Sequence, residues 1–316
     1  MIVQVNFGKF IDVVRGNYFF KRVNLNKRLL NILIPASRPK KKRLLADLLL
    51  AAAVFGGYYW YTHWTPKREL ESEHYRALSG VSIEETQDAL SRAETLYQAY
   101  ADFWNVKARA ADKKLMLKIY SSRKEFKRAN PFPRWAEAIY RRPYCHQYID
   151  TENENKPYHW LVHEAAHQLN YEVSKFRLPQ WAEEGIACYF STSRMNDGKM
   201  SLGVIDRDTY PIWWLSSLGL SGDLSRDMAD KKIMSISSIV NDEKSLKMNE
   251  HFNLYYIHWF SLVHFLLEGE QGKYRKAFMA CVKTPSDLKA FEENIGPCQI
   301  IERQWYQHLL RTIDSL

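Results

Sequence analysis

Apolar and polar positions divide this chain of 316 residues into stretches of different period. From Ser82 to about Trp104, apolar residues recur at helical spacing: Ala89, Ala93, Leu96, Tyr97 and Tyr100 share one face. Ser82 followed three positions later by Glu85 forms a capping box, which predicts where that helix starts. Residues 115–120 alternate and predict a strand, and residues 122–126 open a short helix. Two further strands are expected over 137–142 and 144–149, separated by Pro143, with a polar turn over 150–157. A helix then carries the apolar or small residues Trp160, Leu161, Val162, Ala165, Ala166 and Leu169. Pro179 marks the start of another, largely apolar from Trp181 to Phe190. Segment 191–248 is rich in loop residues, with a turn at Met195-Asn196-Asp197-Gly198. From Glu250 the pattern is helical to the end, beginning with a long apolar run over 252–267. No internal repeat is present. The layout is α+β: a small mixed lobe, a central helix and a helical C-terminal lobe.

The N-terminal part has a different character. Residues 48–64 contain no Asp, Glu, Lys or Arg, and the stretch ends in Tyr58, Tyr59, Trp60, Tyr61 and Trp64. Aromatic residues of this kind favour a membrane–water boundary. The segment 44–64 is therefore expected to cross a lipid bilayer as one helix. A signal peptide cut near Ala51-Ala52-Ala53 and a buried helix of a soluble domain are the alternatives. The basic run Arg38 to Arg43 precedes it and should stay cytoplasmic, placing the C-terminal bulk outside, in the periplasm or extracellular space. The resulting division is a cytoplasmic tail over 1–43, an anchor over 44–64, a polar connector over 65–80 and a catalytic domain over 81–316.

Charge reinforces this division. The chain has a formal net charge of +9, but residues 1–43 hold eleven Lys or Arg and one acid, Asp12. The rest is close to neutral. With no basic stripe or nucleic-acid motif outside the tail, nucleic acid is not an expected partner. The four cysteines, Cys145, Cys188, Cys281 and Cys298, lack metal-ligand spacing. Pairing of Cys145 with Cys188 and of Cys281 with Cys298 suits an extracytoplasmic domain; four buried thiols are the alternative.

The chemistry concentrates in His163-Glu164-Ala165-Ala166-His167. Residues four apart on a helix lie on one face, so the two imidazoles can share one Zn²⁺. Glu164, beside the first ligand, is then placed to act as general base toward a water molecule. His159, one turn earlier on the same face, would close the open coordination position if it were a ligand, and is read as a packing or supporting residue.

Downstream, Leu178-Pro179-Gln180-Trp181-Ala182-Glu183-Glu184-Gly185-Ile186-Ala187 resembles the L-P-x-W-x-x-E-G-x-A segment that follows H-E-x-x-H in many gluzincins, the thermolysin and aminopeptidase type of zinc peptidase. The resemblance implies a thermolysin-like zincin domain, one Zn²⁺ per chain, and Glu184 as the third ligand beside His163 and His167. Glu183 points about 100° away on the helix. The run from Phe252 is similar to a gluzincin helix of the form Y-x-x-G-x-x-x-L-x-x-L. This similarity implies that Tyr256 stabilises the oxyanion, with Tyr255 and His258 as competitors; Trp259 stands where the glycine would be. The glycine and third histidine of the metzincin pattern are replaced by Asn170 and Val173. No G-x-M-x-N stretch precedes the zinc helix, which favours an endopeptidase or an unusual exopeptidase. The implied activity is hydrolysis of peptide or protein substrates at a membrane. A catalytically inactive binding module on the same fold, and another zinc-dependent hydrolysis, are the competing functions.

Overall fold

The computed structural model describes residues 40–106, 113–149, 158–241, 248, 250–282 and 287–316, with side chains from Asp47 onward. The tail over 1–39 and the turn expected over 150–157 lie outside the described residues. The chain divides into two compact units, Met1–His63 and Trp64–Leu316.

In the first unit, helix α1 (Lys40–Thr62) covers most of the expected anchor. Its large apolar side chains are exposed, among them Leu49, Phe55, Tyr59 and Trp60. Among the described residues no helix is long and apolar enough to cross a membrane; residues 44–46 of the expected span are among those whose side chains are not described.

The second unit is an α+β fold built on a five-stranded mixed sheet. Its strands are β1 (Arg68–Glu71), β2 (Tyr75–Ser79), β3 (Leu115–Tyr120), β4 (Ile139–Arg141) and β5 (Tyr144–Tyr148), in the spatial order β1-β2-β3-β5-β4. The three inner strands run parallel and the two edge strands antiparallel to their neighbours. The first two strands occupy the segment expected as a polar connector. A four-residue strand of charged character, Arg-Glu-Leu-Glu, shows little hydrophobic pattern by itself, yet its backbone pairs with β2 in register from Arg68↔Ser79 to Glu71↔Arg76. In β2 the alternation is plain: Tyr75, Ala77 and Ser79 are buried and Arg76 is exposed.

Helix α2 (Ile83–Trp104) links β2 to β3 and starts at the expected capping box. Ser82 accepts from Glu85 N, and the Glu85 carboxylate accepts from Ser82 N. Short helix α3 (Arg123–Ala129) follows β3, capped by Ser122. Helix α4 (Tyr158–Glu172) packs against α2 and β5. Helix α5 (Gln180–Thr192) lies against α4 on one side and against helix α8 (Phe252–Gly272) on the other. Helix α8 is broken at Gly269–Gln271, where the backbone leaves helical geometry.

Between α5 and α8, the segment that resisted reading holds a hairpin, β6 (Ser193–Asn196) and β7 (Lys199–Ile205), two 3₁₀ turns and short helices α6 (Leu224–Ala229) and α7 (Ile236–Val240). The hairpin turn is where the sequence places it. Asp197 and Gly198 both have positive φ, the backbone that the tight primed turns require. Helices α9 (Arg275–Cys281), α10 (Leu288–Asn294) and α11 (Cys298–Ser315) complete the chain.

Gly185 explains how α5 and α8 approach so closely. A Cβ at this position would lie 2.5 Å from Val263 Cγ2 and 2.6 Å from the Trp259 carbonyl oxygen. Only a residue without a side chain lets the two backbones meet there. The four cysteines are thiols, and the two expected disulfides are not formed. The Cys145 thiol donates to the Glu164 carbonyl, and the Cys188 sulfur faces His163.

Candidate metal centre

Helix α4 carries His163 and His167 one turn apart, both buried between α5 and the sheet. Helix α5 brings Glu184 to them. His163 Nε2 lies 3.2 Å from His167 Nε2 and 3.3 Å from Glu184 Oε2, and His167 Nε2 lies 3.5 Å from the same oxygen. These three atoms form a nearly equilateral triangle. Tetrahedral Zn²⁺ with bonds of about 2.1 Å holds its donors roughly 3.4 Å apart, so the triangle matches three corners of such a shell. Glu184 Oε2 is buried and, among the described residues, has no hydrogen-bond partner. A carboxylate oxygen without a donor, facing two imidazole nitrogens, is the arrangement expected where a cation belongs. The donor set therefore fits one zinc ion. Among the described residues this is the only such group of three or more His, Cys, Asp or Glu side chains.

The electrostatics are those of a cation site. Burial opposes ionisation of Glu184, but His167 and His163 outweigh it and hold the carboxyl far below its ordinary range. Burial likewise opposes charging of His167, yet Glu184, Glu183 and Glu164 together hold it well above the usual imidazole range. The negative charge around the imidazoles exceeds what they balance when neutral.

Each imidazole is also gripped from behind. Glu183 Oε1 lies 3.5 Å from His167 Nδ1, so the residue that points away from the triangle reaches the outer nitrogen of a ligand instead. Cys188 Sγ lies 3.8 Å from His163 Nδ1. A partner on the outer nitrogen fixes the tautomer and ring orientation of a metal-bound histidine. Neither role is evident in the sequence. The adjacent glutamates contain the first, and the second depends on Cys188 being one helical turn beyond Glu184. Burial, with Glu184 and Glu164, pushes the Cys188 thiol well up, so it stays protonated.

Glu164 is not one of the three donors. Its Oε2 accepts from the backbone N–H of Tyr140 on β4, the edge strand. That strand is itself tied to α4: Arg142 donates to Glu172 at 3.0 Å and the Tyr140 hydroxyl donates to the same carboxylate. The base candidate, the ligand helix and the free edge of the sheet are thus joined.

Tyr256 on α8 stands beside the cluster. Its ring centroid is 6.2 Å from that of His163, and burial followed by Glu184 raises its phenol pKa well above the ordinary value. Tyr255, also buried, packs against Trp259 with the rings tilted and their centroids 5.5 Å apart. His258 is turned toward the C-terminal region: it accepts from Met234 N, faces the Leu254 carbonyl and packs on Trp305. Tyr210, which the sequence reading did not single out, also borders the site. Its ring is 5.4 Å from Tyr256, and Cys188 and Glu184 add to the effect of burial in raising its pKa. His159 is buried but is not among the three donors. Burial, helped by His163, lowers its pKa to about 3, so its ring is neutral.

No curated protein matches the chain. Residues 160–292, which include His163, Glu164, His167, Glu184 and Tyr256, match a family described as "Protein of unknown function (DUF1570)".

Proposed function

We propose that this protein is a zinc metallopeptidase of the gluzincin type, with a thermolysin-like catalytic domain. The observation that carries the reading is the triangle of His163 Nε2, His167 Nε2 and Glu184 Oε2, with the Glu184 oxygen lacking any donor. Zinc held there would polarise a peptide carbonyl and lower the pKa of a water molecule. Glu164 would accept the water proton and deliver it to the departing amine. Its present partner, Tyr140 N–H, keeps the carboxylate on the side of the edge strand. Strand β4 offers backbone groups to which an extended peptide can add as a further strand. The Tyr256 hydroxyl would donate to the oxyanion. Helix α1 and the segment 44–64 would attach the enzyme to a bilayer, with the catalytic domain on the extracytoplasmic side.

Metal analysis of the purified full chain, paired with a peptide-library digest with and without chelator, tests the reading. One zinc per chain and chelator-sensitive cleavage are expected. A protein without stoichiometric zinc, or a digest insensitive to chelator and to Glu164→Gln, overturns it. Protease added to intact cells should reach residues beyond about 66; protection until lysis would reverse the topology.

A further inference from the structure

Next to the three donors stands a run of aromatic rings, most of which lie beyond Tyr256 and have no part in the hydrolytic mechanism. From the ligand His163 it passes to Tyr256 at 6.2 Å and to Tyr210 at 5.4 Å. It continues to Trp160, 5.3 Å from Tyr210, and to Trp213, 6.5 Å from Trp160. Trp213 is 48% exposed, so the run that begins at a buried metal ligand ends at the surface. Rings in mutual contact from a buried centre to an exposed tryptophan offer aromatic faces and edges, which suit a planar apolar group.

A buried imidazole lies against these rings. His159 packs on Trp160 at 4.4 Å and meets Trp213 edge-on at 5.2 Å. It is 8% exposed, and its Nε2 is buried without a hydrogen-bond partner. A buried imidazole nitrogen left unsatisfied is uncommon in a native protein, and a histidine that only filled space would serve no better than phenylalanine. The Tyr210 hydroxyl, by contrast, already donates to Asn253 Oδ1 at 3.2 Å. Among the described residues, His159 Nε2 is thus a buried nitrogen on these rings with bonding capacity to spare.

We propose that His159, Trp160, Tyr210 and Trp213 form the specificity surface of the site, and that it selects peptides carrying a tyrosine next to the scissile bond. The rings take the flat body of the side chain, and His159 Nε2 accepts a hydrogen bond from the phenol hydroxyl. Phenylalanine fits the same surface but leaves the imidazole nitrogen unpaired, and a site built to bond a hydroxyl discriminates against the analogue that lacks it. Aliphatic side chains lose the ring contacts as well. This inference rests on the peptidase reading and adds the substrate class.

The test uses full-length protein and pairs of peptides that differ only in Tyr or Phe at the position flanking the cleaved bond. The wild type is expected to cleave the Tyr member with kcat/KM at least about tenfold higher. N-acetyltyrosinamide should likewise inhibit cleavage of an unrelated peptide more strongly than N-acetylphenylalaninamide, a comparison that needs no variant. His159→Phe should bring the two rates together while zinc content stays at the wild-type level. Trp213→Ala, at a half-exposed position, should weaken binding of both peptides to the Glu164→Gln protein, measured by calorimetry without turnover. Cleavage with equal Tyr and Phe rates, or a Tyr preference that survives in His159→Phe, overturns the selectivity and leaves the peptidase reading standing. Absence of any chelator-sensitive cleavage overturns both.

Discussion

The two sides of the candidate centre are built by different means. On one side, helix α4 supplies His163, Glu164 and His167 within five consecutive positions. Their mutual placement follows from the helix itself: once the backbone is helical, residues four apart share a face. On the other side, Glu184 comes from α5 and Tyr256 from α8, 72 residues further along the chain. Nothing local relates them. Their positions depend on Gly185, which admits the backbone of α8 at Trp259, and on the apolar surfaces that hold α4, α5 and α8 together. One half of the site is a property of a helix, the other of a packing arrangement. The two halves should fail differently when disturbed.

The largest effect should come from the α4 side without loss of structure. Glu164→Gln keeps the shape and removes the base; peptide hydrolysis should fall by at least about 10²-fold while zinc content persists. Loss of zinc in this variant would mean that Glu164 has a structural part in the centre, and unchanged activity would end the proposed mechanism.

Glu183→Gln probes the join between the halves, since Glu183 sits on α5 but holds His167 of α4. Zinc affinity is expected to drop by about 10- to 100-fold, read by competition with a chromophoric chelator, with the melting temperature of the metal-free protein nearly unchanged. An unaltered affinity would remove Glu183 from the support of His167.

Acid should unsettle the α8 side through His258. Its ring is fully buried between the Leu254 carbonyl and the Met234 N–H, an arrangement that uses one ring nitrogen as donor and the other as acceptor. Burial lowers its pKa to about 4, against an ordinary value of 6.5. The unfolded chain therefore binds the proton more readily, so the contribution is fully present above about pH 6.5 and is lost as pH falls toward 4. Its size is on the order of 2–3 kcal/mol. Urea unfolding of the full chain at pH 7 and pH 4.5 measures it; a His258→Gln variant with the same acid loss as wild type would assign the effect elsewhere.

Gly185→Ala should cost about 1–3 kcal/mol by forcing α5 and α8 apart. The informative readout is the order of loss. Zinc affinity should weaken at a pH and temperature where circular dichroism still reports a folded protein, because the added methyl shifts Glu184 before it melts the core. Wild-type affinity in a stably folded Gly185→Ala protein would show that the ligand geometry does not depend on this contact.

The same contrast explains what was legible in the sequence. The α2 capping box, the strand over 115–120, the turn at Asp197-Gly198 and the helical periodicity after Glu250 are all encoded within a few residues, and the structure has each of them. The grouping of His163, His167 and Glu184 was legible because two lie in one helical turn and the third is marked by a segment that resembles a known family. Strand β1 was not legible: Arg-Glu-Leu-Glu is a strand because β2 pairs with it, a fact that its own pattern scarcely carries. Neither disulfide expected from the even number of cysteines is formed; the Cys145 and Cys188 sulfurs face a helix backbone carbonyl and an imidazole rather than one another. Tyr210 comes beside Glu184, and His159 beside Trp213, through contacts across the fold that no local period could have shown.

The missing side chain at Gly185 has a consequence for how this centre can change over time. With α5 seated directly on the α8 backbone, the helix that carries Glu184 and the helix that carries Tyr256 behave as one stiff piece. A substitution on either helix that alters their spacing moves both groups at once. A change in their spacing is therefore felt at the ligand and at the tyrosine together.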